Sequence, residues 1–279
     1  MKLLPNNLYI VSTPIGNLDD ITLRAIDVLR NSDIILCEDT RRSLKLLNHL
    51  KIKKKLISYH KFNEKKKISS VIKYIEEGKI LSLISDAGTP LLSDPGRLLV
   101  NQCLEKKIRV TPISGISSIT SAMSVSGFQD QFLFYGFLPK TENELDKTLS
   151  SLSQHIFSQV FFIPAIKINF YLKKFKTYFS GRKLMVAREI TKMYEVFYRE
   201  EVDNMEMFKI PIKGELTVVI SEKKFKKNHI DKEKIVNKAK KYLKKYSLKD
   251  TVDLILELEK VNRKDIYKLC LKVKNEKNN

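Results

Sequence analysis

Ile80-Leu81-Ser82-Leu83-Ile84-Ser85-Asp86-Ala87-Gly88-Thr89-Pro90-Leu91-Leu92-Ser93-Asp94-Pro95-Gly96 reads as an apolar strand running into a turn-rich loop, and Leu98, Leu99, Val100 and Leu104 behind it have helical spacing. Strand, loop and helix in that order predict one βα unit of a parallel sheet, with the loop at the carboxyl end of the strand. That edge is where open α/β sheets bind ligands. Two Asp, two Gly and two Pro within residues 85–96 leave two readings open: a turn built for conformational reasons alone, or a ligand loop offering carboxylates and free backbone N–H groups.

The same unit repeats on both sides. Leu8-Tyr9-Ile10-Val11 is a strand followed by the turn-rich Ser12-Thr13-Pro14-Ile15-Gly16-Asn17-Leu18-Asp19, and Asp20 is positioned to cap a helix with Ile21, Ala25, Ile26 and Leu29 on its apolar face. Ile34-Ile35-Leu36-Cys37 runs into Glu38-Asp39-Thr40-Arg41-Arg42, either a self-neutralising surface loop or a polar pocket wall. Leu56-Ile57-Ser58-Tyr59 precedes a helix marked by Ile68, Val71, Ile72 and Ile75 and closed by Gly78. Arg109-Val110-Thr111-Pro112-Ile113 leads into a Ser-rich helix closed by Gly127. Residues 1–127 are therefore expected to form an α/β domain with a parallel sheet.

After Gly127 the pattern changes. Phe132 to Phe137, Val160 to Ile163, Leu184 to Ala187, Glu195 to Tyr198 and Leu216 to Ile220 read as strands with few long helices between them, which predicts a mixed α+β domain over residues 128–222. Residues 223–279 open on the basic linker Lys223-Lys224-Phe225-Lys226-Lys227-Asn228-His229 and continue as three short helices. Their apolar faces are Ile235, Ala239, Tyr242 and Leu243; Val252, Leu254, Ile255 and Leu258; and Ile266, Leu269, Cys270 and Val273. Ser247-Leu248-Lys249-Asp250 has capping spacing for the second. Such a tail suits contact with nucleic acid or simple packing.

The 279 residues carry a formal charge of +20, which suits a polyanion partner, although the excess of Lys over Arg, 42 to ten, also fits a compositional bias. Apolar runs are far short of the roughly 18 residues a membrane helix needs, and the amino terminus lacks an apolar leader, so a cytoplasmic protein without a membrane is expected. Cys37, Cys103 and Cys270 are widely spaced and read as reduced, buried thiols. His49, His60, His155 and His229 show no ligand spacing, so no metal is expected.

Taken in order, residues 8–22, Glu38-Asp39-Thr40-Arg41, His60 with Asn63-Glu64, residues 85–96, Ala187-Arg188-Glu189-Ile190-Thr191-Lys192 with Glu195, and Lys213-Gly214-Glu215-Leu216 resemble the ribosomal RNA small-subunit methyltransferase I family, of the tetrapyrrole-methylase-like class. The resemblance covers roughly residues 8–220, with a family-like tail at 247–271. It implies a class III two-domain methyltransferase fold, a homodimer, S-adenosylmethionine in the cleft between the domains, and 2′-O-methylation of a cytidine in the 16S rRNA of the small ribosomal subunit. Carried across by position, Pro14, Gly16, Asp86, Ala87, Gly88, Thr89, Gly115, Ser117 and Ser118 would contact the cofactor.

A ribose hydroxyl needs an acceptor for its proton, and Glu38, Asp39, Glu189 and Glu195 are the candidates. Arg41, Arg42, Arg188 and Lys192 suit phosphates. The chain departs from the family at two places. Ser114-Gly115-Ile116-Ser117-Ser118 is closer to the tetrapyrrole methylases proper. Phe161-Phe162-Ile163-Pro164-Ala165-Ile166-Lys167 stands where the family carries Phe-Tyr-Glu-Ser-Pro-His-Arg. These departures keep two alternatives in view: a small-molecule tetrapyrrole methyltransferase, and a non-catalytic RNA-binding assembly factor.

Overall fold

The structure, a computed structural model, describes residues 3–209, 211–223, 232–258 and 263–275. Strands β1 (Asn7–Val11), β2 (Ile34–Cys37), β3 (Lys55–Ser58), β4 (Leu81–Ile84) and β5 (Arg109–Ile113) form a parallel sheet in the order β3-β2-β4-β1-β5. Every residue of β2 and β4 is buried, so these strands read as unbroken apolar runs rather than alternating ones.

Helices α1 (Leu23–Asn31) and α2 (Thr40–His49) pack Ala25, Val28, Leu29 and Leu47 with Tyr9, Val11, Ile35 and Cys37, on one face of the sheet. Helices α3 (Glu64–Glu76) and α4 (Arg97–Glu105) pack Val71, Ile75, Leu99 and Cys103 with Leu8, Leu36, Leu81 and Leu83, on the other. β4 thus sends its chain to the opposite face from both neighbours, β2 and β1. It is the topological switch, and a crevice opens at its carboxyl end.

Two local expectations are corrected. Asp20 does not cap α1; Thr22 does, its hydroxyl accepting from the Ala25 N–H at 3.1 Å. Residues 40–42 are not loop: Asp39 caps α2 by accepting from the Arg41 N–H at 2.8 Å, so both arginines sit in the first helical turn.

Strands β6 (Phe132–Phe137), β7 (Ser158–Pro164), β8 (Lys183–Arg188), β9 (Val196–Glu201) and β10 (Glu215–Ile220) form a second sheet ordered β6-β7-β10-β8-β9. Only the β6–β7 pair is parallel. Between its strands lie two helices the strand pattern obscured, α6 (Glu142–Ser153) and α7 (Ile168–Tyr178). Leu145, Leu149 and Leu152 are the signal for the first, and each fully buried side chain of this kind contributes roughly 1.5–3 kcal/mol.

Alternation along the strands then assigns the faces. Phe161, Val186, Val218 and Ile220 pack under α6 and α7, whereas Val160, Met185, Ala187 and Val219 pack with Ile15 and with Ile119 and Ala122 of α5 (Ser118–Ser126). Gly127 separates the strands of the two sheets in sequence, but the core between them is shared, and the described residues up to Lys223 form one compact unit. The first sheet is parallel and the second mixed, as residue patterning predicts.

The remaining described residues form a separate unit of three helices, α8 (Lys232–Tyr242), α9 (Leu248–Leu258) and α10 (Arg263–Asn275). Ile235, Ala239, Val252, Ile255, Ile266, Cys270 and Val273 make its core. Ser247 caps α9, accepting from the Asp250 N–H at 3.2 Å. The basic linker beyond Lys223 lies outside the described residues. Cys37, Cys103 and Cys270 are free and buried. Among the described residues no helix is long and apolar enough to cross a membrane, and no group of three or more His, Cys, Asp or Glu could hold a metal ion.

Candidate active site

Two loops at the carboxyl edge of the first sheet are tied together. The Thr13 N–H donates to the Gly88 carbonyl and the Gly88 N–H to the Thr13 carbonyl, both at 2.9 Å, and the Thr13 hydroxyl donates to the Ser85 carbonyl at 3.3 Å. Beyond this clasp a cavity of about 360 Å³ opens between the sheets. The first half of the unit lines it with Ile15, Arg42, Asp86, Ala87, Gly88, Thr89, Asp94, Ser117, Ser118 and Ile119; the second contributes Phe137, Phe162, Ile163, Pro164, Ile190, Gly214, Glu215, Leu216 and Thr217.

Six of the nine residues expected at a cofactor therefore share one cavity wall: Asp86, Ala87, Gly88, Thr89, Ser117 and Ser118. Pro14, Gly16 and Gly115 are not on that wall; their neighbours Ile15 and Ser117 are. The loop at Gly16 is instead docked on the second sheet's connections, through the Asn17 N–H to the Thr191 hydroxyl at 3.1 Å. Where the family resemblance called for Glu, Ile163 gives the cavity an apolar patch, and Ile166 points to water, 87% exposed.

The four candidate bases separate by surroundings. Asp39 is held down to about 2 by the Arg41 side chain, whose Nε and Nη2 donate at 3.2 and 2.8 Å, and by the Arg41 backbone N–H. Glu195 accepts from the Thr191 N–H. Burial alone would raise Glu189, but the Glu215 N–H at 2.8 Å and the Lys192 ammonium at 2.9 Å bring it below its usual value. Glu38 differs: burial, then the nearby Asp86 charge, push it up.

Asp94, a carboxylate not singled out by the motif reading, is raised to about 6 by burial and by the charge of Glu38, with the Ser85 hydroxyl partly offsetting this. Leu91 and Ser93 on its amino-terminal side have φ of 72° and 74°, conformations that cost non-glycine residues free energy and concentrate at functional sites. Ser93 fits because β6 bulges between Phe134 and Gly136, and at Gly136, φ +83°, a Cβ would lie 2.9 Å from the Ser93 hydroxyl oxygen.

The expected phosphate ligands are all engaged. Arg42 pairs with Asp86 at 3.2 Å, Arg41 with Asp39 at 2.8 Å, and Lys192 with Glu189 and Glu215 at 2.9 and 3.0 Å; Arg188 donates to the Lys213 carbonyl at 3.1 Å. Gly214, with φ +104°, leaves room for this network, because a Cβ there would lie 2.5 Å from the Glu189 carboxyl carbon. Gly214→Ala is expected to lower stability by about 2–3 kcal/mol in urea denaturation, through backbone strain and overpacking. An unchanged midpoint would show that Glu189 can move aside freely.

A second pocket of about 420 Å³ adjoins the first and shares Asp86 with it. Glu38, Asp39, Thr40, Arg41, Ser58, His60, Lys61 and Phe62 complete the lining of this open depression, so the cluster after β2 flanks it while Arg41 and Asp39 neutralise each other at the surface.

Comparison with known proteins places these features in a lineage. The family of tetrapyrrole (corrin/porphyrin) methylases matches residues 7–206. A protein of Mesomycoplasma conjunctivae named ribosomal RNA small subunit methyltransferase I is 42% identical over 230 residues, 81% of this chain and 96% of that one. Its namesake in Buchnera aphidicola subsp. Acyrthosiphon pisum is 35% identical over 271 residues, 95% of this chain and 96% of the relative. Among solved structures, the uroporphyrin-III C-methyltransferase of Thermus thermophilus complexed with S-adenyl homocysteine superposes with a TM-score of 0.56 at 13% identity, covering 77% of this chain and 97% of that one, a likeness of fold.

Proposed function

Because the chain belongs to the tetrapyrrole (corrin/porphyrin) methylase family and, within it, to the ribosomal RNA small-subunit methyltransferase I group, we propose that it methylates the 2′-hydroxyl of a cytidine in 16S rRNA, using S-adenosylmethionine. It would do so as a cytoplasmic homodimer. The observation that carries this reading is the cavity at the β4 switch point, walled by Asp86 and opening beside two carboxylates, Glu38 and Asp94, whose proton affinity is raised.

The residues present fit the cofactor. About 360 Å³ is within the range of pockets that hold nucleoside-sized ligands. Ile15, Ile119 and Leu216 supply an apolar surface for a base; Asp86, Thr89, Ser117, Ser118 and Thr217 offer carboxylate and hydroxyl partners for a ribose and an amino-acid end. S-adenosylmethionine, when bound, supplies a methyl group already activated on a sulfonium.

What remains for the protein is to hold the hydroxyl in line, exclude water and take a proton. Asp39, Glu189 and Glu195 are committed to neighbouring groups. The proton therefore falls to Asp94 or Glu38, since a base with raised affinity is better matched to a neutral hydroxyl. Arg41, Arg42, Arg188 and Lys192 would exchange some of their present carboxylate and carbonyl contacts for phosphates, and the +20 charge favours such a polyanion.

A labelled-methyl assay on small subunits lacking the modification tests the reading: ribose-linked label is expected, and its absence beside an active control enzyme would overturn it. The placement of the cofactor has its own check. Asp86→Ala is expected to weaken S-adenosylmethionine binding by calorimetry at least about tenfold, the loss of one charged hydrogen bond, with the thermal midpoint kept. Equal affinity would place the cofactor elsewhere.

A further inference from the structure

We propose that the pocket on the far side of Asp86 is a nucleobase subsite, in which Phe62 stacks an unpaired base of the RNA and Lys61 and His60 hold its polar groups. The proposal rests on the RNA-methylating reading and adds where the substrate strand is gripped.

The turn after β3 is built to display an aromatic ring. Tyr59 is fully buried and its N–H donates to the Cys37 carbonyl at 2.7 Å, while the Asn63 and Glu64 N–H groups both donate to the His60 carbonyl at 2.9 Å. Between these anchors Phe62 is 90% exposed, touching the His60 ring edge-on with centroids 6.0 Å apart. A large apolar side chain held out at the mouth of a pocket by a hydrogen-bonded turn lacks a folding role, whereas every nucleobase has a face that an aromatic ring can stack on.

His60 adds a second, independent sign. The Asn63 side-chain oxygen accepts from the His60 backbone N–H at 2.9 Å and its nitrogen donates to the Ser58 carbonyl at 3.2 Å, which fixes the orientation of the amide. The same nitrogen lies 3.0 Å from His60 Nε2, a contact that matches the tautomer in which Nε2 accepts and Nδ1 carries the hydrogen. Among the described residues that Nδ1 is buried and has no partner. An unmet buried donor costs free energy, which a base carbonyl or a ribose oxygen would offset if the ring turned toward the pocket on binding. Because Asp86 belongs to both pockets, a nucleotide seated here brings its ribose toward the cavity proposed for the cofactor.

The test compares full-length wild type, Phe62→Ala, Phe62→Tyr and His60→Gln in methyl transfer to small subunits lacking the modification, with cofactor affinity measured in parallel. Phe62→Ala is expected to raise KM about tenfold or more with kcat and S-adenosylmethionine affinity kept, and Phe62→Tyr to restore KM. His60→Gln is expected to raise KM by a smaller factor. Wild-type KM in Phe62→Ala, or an equal loss of cofactor affinity, overturns the subsite while leaving the functional reading standing. A wild type that methylates no subunit RNA overturns the functional reading itself, and the subsite with it.

Discussion

Asp94→Asn is expected to slow methyl transfer by about 10²- to 10³-fold, the range a positioned general base contributes, while S-adenosylmethionine still binds. The wild-type rate should rise with pH through about 6, where Asp94 loses its proton, and level off above. The Asn variant should lack that limb. If the limb persists in Asp94→Asn and vanishes in Glu38→Gln, the proton goes to Glu38.

Stability supplies a cross-check with a definite sign. Folding raises the pKa of Asp94 above the roughly 3.9 of an unfolded chain, so the folded state holds this proton more tightly and ionisation destabilises the fold. The penalty grows as pH rises from about 4 to about 6 and is constant above, and partial exposure reduces it to about 1 kcal/mol. Asp94→Asn should therefore be the more stable protein at pH 8 and no more stable at pH 3, a trade of stability for activity.

Glu64→Ala is expected to cost about 3 kcal/mol of stability and, with it, most of the activity. Glu64 is buried at 7% exposure, and one carboxylate oxygen accepts from the Gly96 N–H at 3.2 Å and the Leu98 N–H at 3.1 Å, at the start of α4. Removing it leaves two N–H donors unmet and withdraws a negative charge from a helix amino terminus. It also frees the end of the loop that carries Asp94, and a displacement near 1 Å at a reacting group can cost about 10²-fold. Glu64→Gln keeps an acceptor and should recover most of the stability in urea denaturation. Wild-type stability and rate in Glu64→Ala would show that α4 and the Asp86 loop hold their place without it.

Much of this was legible from residue order. The apolar runs at Ile34 to Cys37, Leu81 to Ile84, Val160 to Ile163 and Leu216 to Ile220 are local properties, so strand positions follow from them, and the spacing of helices between the runs carries the parallel and mixed character of the sheets. Helices α6 and α7 were harder to see. Their apolar positions, Leu145, Leu149 and Leu152, then Ile168, Tyr171 and Phe175, are interleaved with strands of equal hydrophobicity. Asp94, the proposed base, does not stand out in the sequence because residues 85–96 hold two Asp-containing turns of similar composition. Both turns face the cavity, and the path of the second depends on left-handed residues at Leu91 and Ser93 and on the close approach of Ser93 to Gly136.

The sequence by itself determined that residues 85–96 close a buried strand of a parallel sheet, and which family the motifs belong to. Only the tertiary structure decided that β4 is the switch strand, that Asp86 lines two adjoining pockets, and that Asp39 and Glu189 are held low by their neighbours while burial and nearby charge raise Glu38 and Asp94. Strand spacing and turn chemistry act over a few residues and leave a mark on the local pattern. Sheet order, burial and the charge around a carboxylate are set by segments far apart in the chain, which meet only once the core has formed.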